Sequence, residues 1–238
     1  MAAATTAPFA DLDDIIGPGG LVVLAPHPDD ESLGCGALLR AAAFAGRRSV
    51  VVVVTDGRRS HPSSPSVGAD ALAQLRALEV RAALAALHPD IALIELGYRD
   101  CEAPDAPPAA AIAASVIAGA VDEFGATALV ATWRGDPHKD HVATAELARR
   151  VVALRPGLRL WSYPIWGRFA PPEGAADAAA PTRIVRFDAR RFCSAKAAAI
   201  ACHRSQMTRM IHDDPDGFMM IGEMQTHFID HPEVYLAD

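Results

Sequence analysis

A histidine and three carboxylates occupy five consecutive positions of the chain, in the segment His27-Pro28-Asp29-Asp30-Glu31. The segment directly follows the apolar run 21–25, and no Lys or Arg occurs from Leu21 to Leu39. Crowded carboxylates repel one another unless positive charge lies between them, so the segment indicates a cation site. The acids would also suit the first turn of a helix, where unpaired N–H groups favour negative charge. His27 is not needed for that simpler role.

A second cluster follows another apolar run, residues 127–132, and reads Asp136-Pro137-His138-Lys139-Asp140-His141. Alone, it could be a solvated turn. If both runs are strands of one parallel sheet, however, both clusters lie at its carboxyl edge and can converge there. Two histidines and one aspartate are a usual ligand set for a catalytic zinc, which keeps a fourth position for water. The same ligands also suit iron or cobalt.

The elements that must position these clusters alternate along the chain. Short β-branched or apolar runs predict strands at 21–25, 49–55, 91–96, 127–132 and 158–163, with a late edge strand at 182–187. Segments rich in Ala, Leu and Arg predict helices at 32–44, 69–87, 109–124, 142–154 and 189–203. This alternation predicts an α/β fold, a Rossmann-like three-layer sandwich with a mainly parallel sheet and the active site at its carboxyl edge. Residues 1–238 are expected to form a single domain, with a surface loop at 169–181.

The overall composition disfavours several classes of protein. The net charge is −7, from 22 basic and 29 acidic residues, and no basic stripe is present to neutralise nucleic-acid phosphates. No apolar stretch is long enough for a membrane span, and the start of the chain lacks the pattern of a secretory signal. The four scattered cysteines form no CxxC pair, so reduced thiols in a cytoplasmic protein are expected. Whether copies of the chain associate stays open.

The paired clusters resemble those of the PIG-L (LmbE-like) family of zinc-dependent N-deacetylases, with weaker similarity in Thr55-Asp56-Gly57, Thr132-Trp133-Arg134 and His203-Arg204-Ser205-Gln206. Members of that family remove acetyl groups from N-acetylglucosamine linked to inositol, phosphatidylinositol or small thiol-sugar acceptors. The resemblance implies zinc ligands at His27, Asp30 and His141, a general base at Asp29, and an oxyanion contact at His138. Asp140 would then orient His138 and raise its pKa.

Two positions depart from the pattern of the family. Arg58 and Arg59 follow Gly57, where relatives often carry an acid, and Lys139 occupies a position where proline is frequent. The added positive charge suggests an anionic substituent on the substrate, although Arg58 and Arg59 would also be ordinary as solvated loop charges. Arg58 is therefore a candidate substrate contact. Arg134 and Asp136 are two further candidates, because they flank the second cluster.

The expected function is hydrolysis of the N-acyl group of a small N-acetylglucosamine-type conjugate by metal-activated water. A carboxylate would take the proton of the water and pass it to the leaving nitrogen. One alternative is a metal-dependent phosphoesterase, which would need a second metal site with bridging carboxylates. Another is a non-catalytic carbohydrate-binding module, which would not need the base.

Three groups of residues have two interpretations each. The three tryptophans could stack on a sugar, although packing is the favoured interpretation. Residues 203–206 could reach the site or cap a helix. The methionines at 219, 220 and 224 could line a pocket, although the core is favoured.

Overall fold

The protein is described by a computed structural model that covers residues 2–169 and 181–237. Within these residues one sheet contains seven strands: β1 (Gly20–Ala25), β2 (Ser49–Thr55), β3 (Ala92–Tyr98), β4 (Ala126–Thr132), β5 (Arg159–Tyr163), β6 (Arg183–Phe187) and β7 (Glu233–Ala237). The strand order is β3-β2-β1-β4-β5-β7-β6. The first five strands are parallel, and β7 runs antiparallel to both β5 and β6.

Helices cover both faces of the sheet: α1 (Ala2–Thr6), α2 (Leu12–Ile16), α3 (Asp30–Phe44), α4 (Ala69–Leu87), α5 (Ala109–Phe124), α6 (Lys139–Leu154), α7 (Cys193–Cys202), α8 (Arg204–Met207) and α9 (Gly222–Asp230). The valines of β2 alternate between two cores because successive side chains of a strand point to opposite faces. Val51 and Val53 pack with α3, α4 and α7, whereas Val50, Val52 and Val54 pack with α5 and α6. The predicted three-layer sandwich is therefore confirmed.

A buried ion pair ties the C-terminal strand to α3, the helix that begins within the first cluster. Lys196 Nζ on α7 lies 2.6 Å from Glu233 Oε1 on β7, and both side chains are 1% exposed. The same carboxylate accepts hydrogen bonds from the backbone N–H groups of Ala37 and Leu38, at 2.7 and 2.9 Å. Tyr235 donates a further bond to it at 2.8 Å. These contacts fix α3 against β7 and α7.

The predicted strands and helices are present, with ends shifted by up to four residues. The prediction missed β7, and residues 170–180 of the predicted surface loop lie outside the described part of the chain. The leucines at 72, 75, 78, 84 and 87 have the spacing of one helix face, which predicts that this face of α4 is buried. The buried face differs from this pattern, because Leu78 is 64% exposed whereas Arg76 and Glu79 are buried. No helix among the described residues is long and apolar enough to cross a membrane.

Candidate active site

The two clusters converge at the carboxyl edge of the sheet. His27 lies two residues after β1, and Asp136 lies four residues after β4. A cavity of about 290 Å³ opens at this edge. Five of the predicted site residues line it, namely His27, Asp29, Asp30, His138 and His141.

Asp30 lies close to one nitrogen of each of two histidines, which makes these three side chains candidates for a metal site. Asp30 Oδ2 lies 3.3 Å from His27 Nδ1 and 3.5 Å from His141 Nε2. Two ligands about 2.1 Å from a tetrahedral zinc are separated by roughly 3.4 Å, so this spacing fits such an ion. Burial alone would raise the pKa of Asp30, but His141 and His27 lower it to about 2, which keeps the carboxylate ionised. His27, His138 and His141 form an overlapping group of donor atoms within 4.8 Å of one another.

Carboxylates behind the two histidines fix which ring nitrogen faces Asp30. His27 Nε2 lies 3.1 Å from Asp140 Oδ2 and 3.3 Å from Asp100 Oδ1. His141 Nδ1 lies 3.0 Å from Asp136 Oδ2. A carboxylate on the far nitrogen of a ligating histidine sets its tautomer and its orientation. Nδ1 of His27 and Nε2 of His141 are therefore the nitrogens that remain for a metal.

Asp136 is a buried support for His141 and lies outside the cavity lining. Its side chain is fully buried, and it also accepts hydrogen bonds from the backbone N–H groups of Ile165 and Gly167, at 2.9 and 2.8 Å. Its position beside the second cluster predicted a substrate contact for this residue. The structure instead directs all of its polar contacts into the protein, because three donors converge on one carboxylate.

Asp140 orients His27, contrary to the prediction that it orients His138. Its carboxylate accepts hydrogen bonds from the backbone N–H groups of Cys101 and Ala103, at 2.7 and 3.2 Å, in addition to its contact with His27. His138 Nδ1 accepts a hydrogen bond from the backbone N–H of Asp140 at 3.2 Å. Burial, together with the charges of His27 and His141, lowers the pKa of His138 to about 4. The ring is therefore neutral and carries its proton on Nε2.

The carboxylate of Asp29 contacts Arg76. Its backbone has φ 144°, a conformation that non-glycine residues rarely adopt and that costs about 1–3 kcal/mol. The strain is held by its backbone N–H, which donates to Glu31 Oε2 at 3.0 Å, and by the 3.3 Å contact between Arg76 Nη2 and Asp29 Oδ2. Burial raises the pKa of Asp29 to about 6, although Arg76 opposes the shift. A carboxyl group with this pKa suits general-base chemistry near neutral pH.

The sequence model of the family described as "PIG-L: GlcNAc-PI de-N-acetylase" matches residues 22–152, which contain both clusters. The chain belongs to the PIG-L family. A search of curated proteins gives no match.

Solved structures similar to this PIG-L protein share its fold. N,N'-diacetylchitobiose deacetylase from Pyrococcus horikoshii has a TM-score of 0.67 at 21% identity, over 91% of this chain and 82% of that chain. A deacetylase of the teicoplanin biosynthetic pathway has a TM-score of 0.71 at 19% identity, over 91% of this chain and 96% of that chain. The 4-carboxy-2-hydroxymuconate hydratase from Pseudomonas putida has a TM-score of 0.64 at 16% identity, over 88% and 84%. Because a hydratase shares the fold, the fold alone does not define the reaction.

In this PIG-L protein the late segment 203–206 supports the site. His203 Nε2 lies 3.0 Å from Glu31 Oε1, and both side chains are completely buried. Ser205 donates through its backbone N–H and its hydroxyl to Glu79, at 2.7 and 2.6 Å. Gln206 lines the cavity and donates to Ser60 Oγ at 3.0 Å. The segment therefore anchors the first cluster from behind and also reaches the cavity.

Two predicted substrate contacts are engaged elsewhere. Arg58 lies 2.7 Å from both Asp56 and Asp70, and it does not line the cavity. Arg134 is 43% exposed and pairs with Glu146 at 3.0 Å, again away from the lining.

Three charged residues that line the cavity were not predicted from the sequence: Arg76, Asp100 and Asp216. Asp100 could have been predicted as a site residue, because it lies two residues after β3 at the same edge of the sheet. The sequence pattern around Arg76 indicates its burial less clearly. Arg76 lies four residues after Leu72 and four before Val80, both of which are buried, so a charge occupies the apolar stripe of α4.

The burial and the contacts of the tryptophans and of Met220 show which of them pack in the core and which line the cavity. Trp161 is buried and donates to Ile15 O at 3.0 Å, and Trp133 packs beside a small core cluster. Trp166 lines the cavity. Met220 is 2% exposed and belongs to the core, yet it also borders the cavity.

Proposed function

We propose that this PIG-L protein is a metal-dependent hydrolase that removes the acyl group from an N-acylated amino sugar. The observation that carries the proposal is the different orientation of two adjacent carboxylates at one cavity. Asp30 faces two histidine nitrogens at metal-ligand spacing, whereas Asp29 lies beside Arg76 and lines the same cavity. A ligand and a base are thereby available side by side.

His27, Asp30 and His141 would hold the metal. Two imidazoles and one carboxylate suit zinc, with iron or cobalt as alternatives. When bound, such an ion polarises an amide carbonyl and lowers the pKa of a water molecule at the site.

The protein groups supply proton transfer and charge stabilisation. Asp29 accepts a proton from the attacking water and delivers it to the leaving nitrogen, a role worth about 10²–10⁴ in rate. The neutral His138 ring lines the cavity with its proton on Nε2, because Nδ1 already accepts from Asp140 N. That N–H can donate to the oxygen on which negative charge develops, and one such donor contributes about 10²–10³.

The charges around the cavity favour a neutral sugar over an anionic one. Arg58 is neutralised by Asp56 and Asp70, and Arg59 lies 2.7 Å from Glu102. Arg76 is paired with Asp29. Two of the three positive charges that suggested an anionic substituent, Arg58 and Arg59, therefore have acidic partners. Polar groups that line the cavity, such as Asp100, are suited to hydrogen bonds with sugar hydroxyls.

A phosphoesterase is less well supported. A two-metal mechanism needs carboxylates that bridge two ions. Asp100 and Asp140 both face His27 Nε2, and together with His27 and His138 they form a second group of donor atoms within 4.8 Å of one another. This second group shares both of its histidines with the first, so it does not supply a separate set of ligands for a second ion.

The proposal is tested by measuring carboxylate release from a panel of N-acylglucosaminides with purified protein, before and after chelation and after zinc is restored. We expect release that the chelator abolishes and that zinc restores. Arg134→Ala serves as a matched control, because that side chain pairs with Glu146 outside the cavity lining. Release that persists fully after verified metal removal would refute metal dependence. No release from any acyl glucosaminide by metal-loaded protein would refute the proposed substrate class.

A further inference from the structure

The cavity has two chemically different walls. One wall is polar and includes Arg59, Arg76 and Asp100. The other wall is apolar and consists of Leu33, Ile165, Trp166, Phe218 and Met220. We call these five side chains the apolar wall. We propose that the apolar wall binds the alkyl chain of an N-acyl group longer than acetyl, an inference that rests on the proposed function.

The apolar wall adjoins the two ligands that face each other across the site. Leu33 lies three residues after Asp30 in α3, and residues at this spacing share one face of a helix. Ile165 donates its backbone N–H at 2.9 Å to Asp136 Oδ2, the oxygen that also contacts His141. The wall therefore starts beside Asp30 and His141, where the scissile amide would be bound.

The polar wall adjoins two other residues of the same centre, Asp29 and His27. Arg76 contacts Asp29 at 3.3 Å, and Asp100 contacts His27 Nε2 at 3.3 Å. An N-acyl amino sugar has the same asymmetry, since the sugar carries hydroxyls whereas the acyl tail beyond its carbonyl is hydrocarbon. Buried polar groups need hydrogen-bond partners and hydrocarbon does not. The sugar therefore matches the polar wall and the acyl tail matches the apolar wall.

The apolar wall is held in place before any ligand binds. Trp166 and Phe218 form an edge-to-face pair with ring centroids 5.8 Å apart. Phe218 donates its backbone N–H to Ser60 O, and Met220 donates to Gln206 O, both at 2.8 Å. Leu33, Ile165 and Met220 are only 1–2% exposed and form the base of the wall, whereas Trp166 and Phe218 are partly exposed and supply its accessible surface. The faces of two large aromatic rings extend beyond the area that one methyl group covers. A preorganised apolar surface strengthens binding of an alkyl chain because little ordering is required.

The test is a series of N-acetyl, N-butyryl and N-hexanoyl derivatives of one methyl glucosaminide, compared by kcat/KM. A fully buried methylene is worth about a fourfold change, so partial burial of four added methylenes predicts at least about tenfold preference for hexanoyl over acetyl. Phe218→Ala is expected to lower the hexanoyl-to-acetyl ratio by about fivefold or more. The control Phe44→Ala should leave this ratio unchanged, because Phe44 is 62% exposed and is not a lining residue.

Preference for acetyl, with a ratio that Phe218→Ala does not change, would overturn the inference while acetyl release would keep the proposed function. A parallel pair of phenyl and methyl glycosides identifies the main competing occupant. If Phe218→Ala changes the preference between these aglycones and leaves the acyl ratio intact, the wall binds the aglycone and the inference is wrong. Absence of release from every substrate would refute the proposed function itself.

Discussion

Replacement of Asp136 by asparagine tests how the metal-facing nitrogen of His141 is chosen. The carboxylate receives three hydrogen bonds, from His141 Nδ1 and Ile165 N at one oxygen and from Gly167 N at the other. Asparagine keeps the shape but turns one of these oxygens into an N–H donor. If that amino group faces Gly167, two donors oppose each other. If it faces His141, the ring must accept at Nδ1 and carry its proton on Nε2, where a metal would bind.

Either arrangement leaves at least one buried donor without an acceptor, which costs about 1–3 kcal/mol. We therefore expect the free energy of unfolding of the metal-free Asp136→Asn variant to fall by that amount. Loss of a group that orients a ligating histidine typically weakens metal binding by about 10–100-fold. Because a tenfold change corresponds to about 1.4 kcal/mol, the variant should lose roughly 1.4–2.8 kcal/mol of metal-binding free energy.

The two quantities are measured separately, by urea denaturation of metal-free protein and by zinc titration in competition with a chromophoric chelator. Asp122→Asn is the matched control, since Asp122 is 57% exposed and pairs only with Arg155 on the surface. It should change neither quantity measurably. If Asp136→Asn binds zinc as tightly as the unaltered protein, Asp136 does not orient His141 as a ligand and the reasoning fails.

Three further predictions concern the base, a half-buried histidine and the buried ion pair. Asp29→Asn should lower kcat about 10²–10⁴-fold with the metal content unchanged; a smaller loss in steady-state assays would rule out Asp29 as the base. Burial and the charge of Arg168 lower the pKa of His227 to about 4, so the unfolded chain, with a pKa near 6.5, binds a proton first as the pH falls. The free energy of unfolding therefore falls as the pH decreases from 6.5 to 4. His227→Gln, which retains an acceptor for Arg168, should lose less stability over this range. Equal urea midpoints for the variant and the unaltered protein across this range would contradict the assignment. Lys196→Met leaves the buried Glu233 carboxylate without its cationic partner and should lower the free energy of unfolding by about 3–5 kcal/mol in urea denaturation; a loss below about 1 kcal/mol would contradict a stabilising role for the ion pair.

The part of the site that the sequence predicts is the part that lies next to strand ends. His27 and His141 belong to contiguous clusters after β1 and β4, and the alternation of strands and helices is enough to bring those clusters together. The partner of Asp140 was not predictable in the same way. Its carboxylate contacts the loop after β3 through Cys101 and Ala103, and this choice depends on how that loop packs against α6.

Arg76 and β7 escaped prediction for related reasons. Arg76 lies within a helical stripe whose leucines suggested a different buried face, and its contacts with Gly57 O and Pro28 O come from distant segments. Strand β7 is only five residues long and begins with a charged side chain, Glu233, whose burial depends on Lys196. Local periodicity contains no information about such pairings.

The position of β7 in the sheet has a consequence for the order in which the molecule can be completed. This strand lies between β5 and β6 but is the last of the seven to be synthesised among the described residues. Until it emerges, β5 keeps an open edge, and β6 has only a single bridge, to Phe9, as its strand partner within the described chain. A nascent chain would therefore expose unpaired strand edges until Glu233–Ala237 has emerged, a state that is prone to aggregation. Deletion of Glu233–Ala237 would open a gap inside the sheet and would remove the hydrogen bonds from Ala37 and Leu38 of α3 to Glu233.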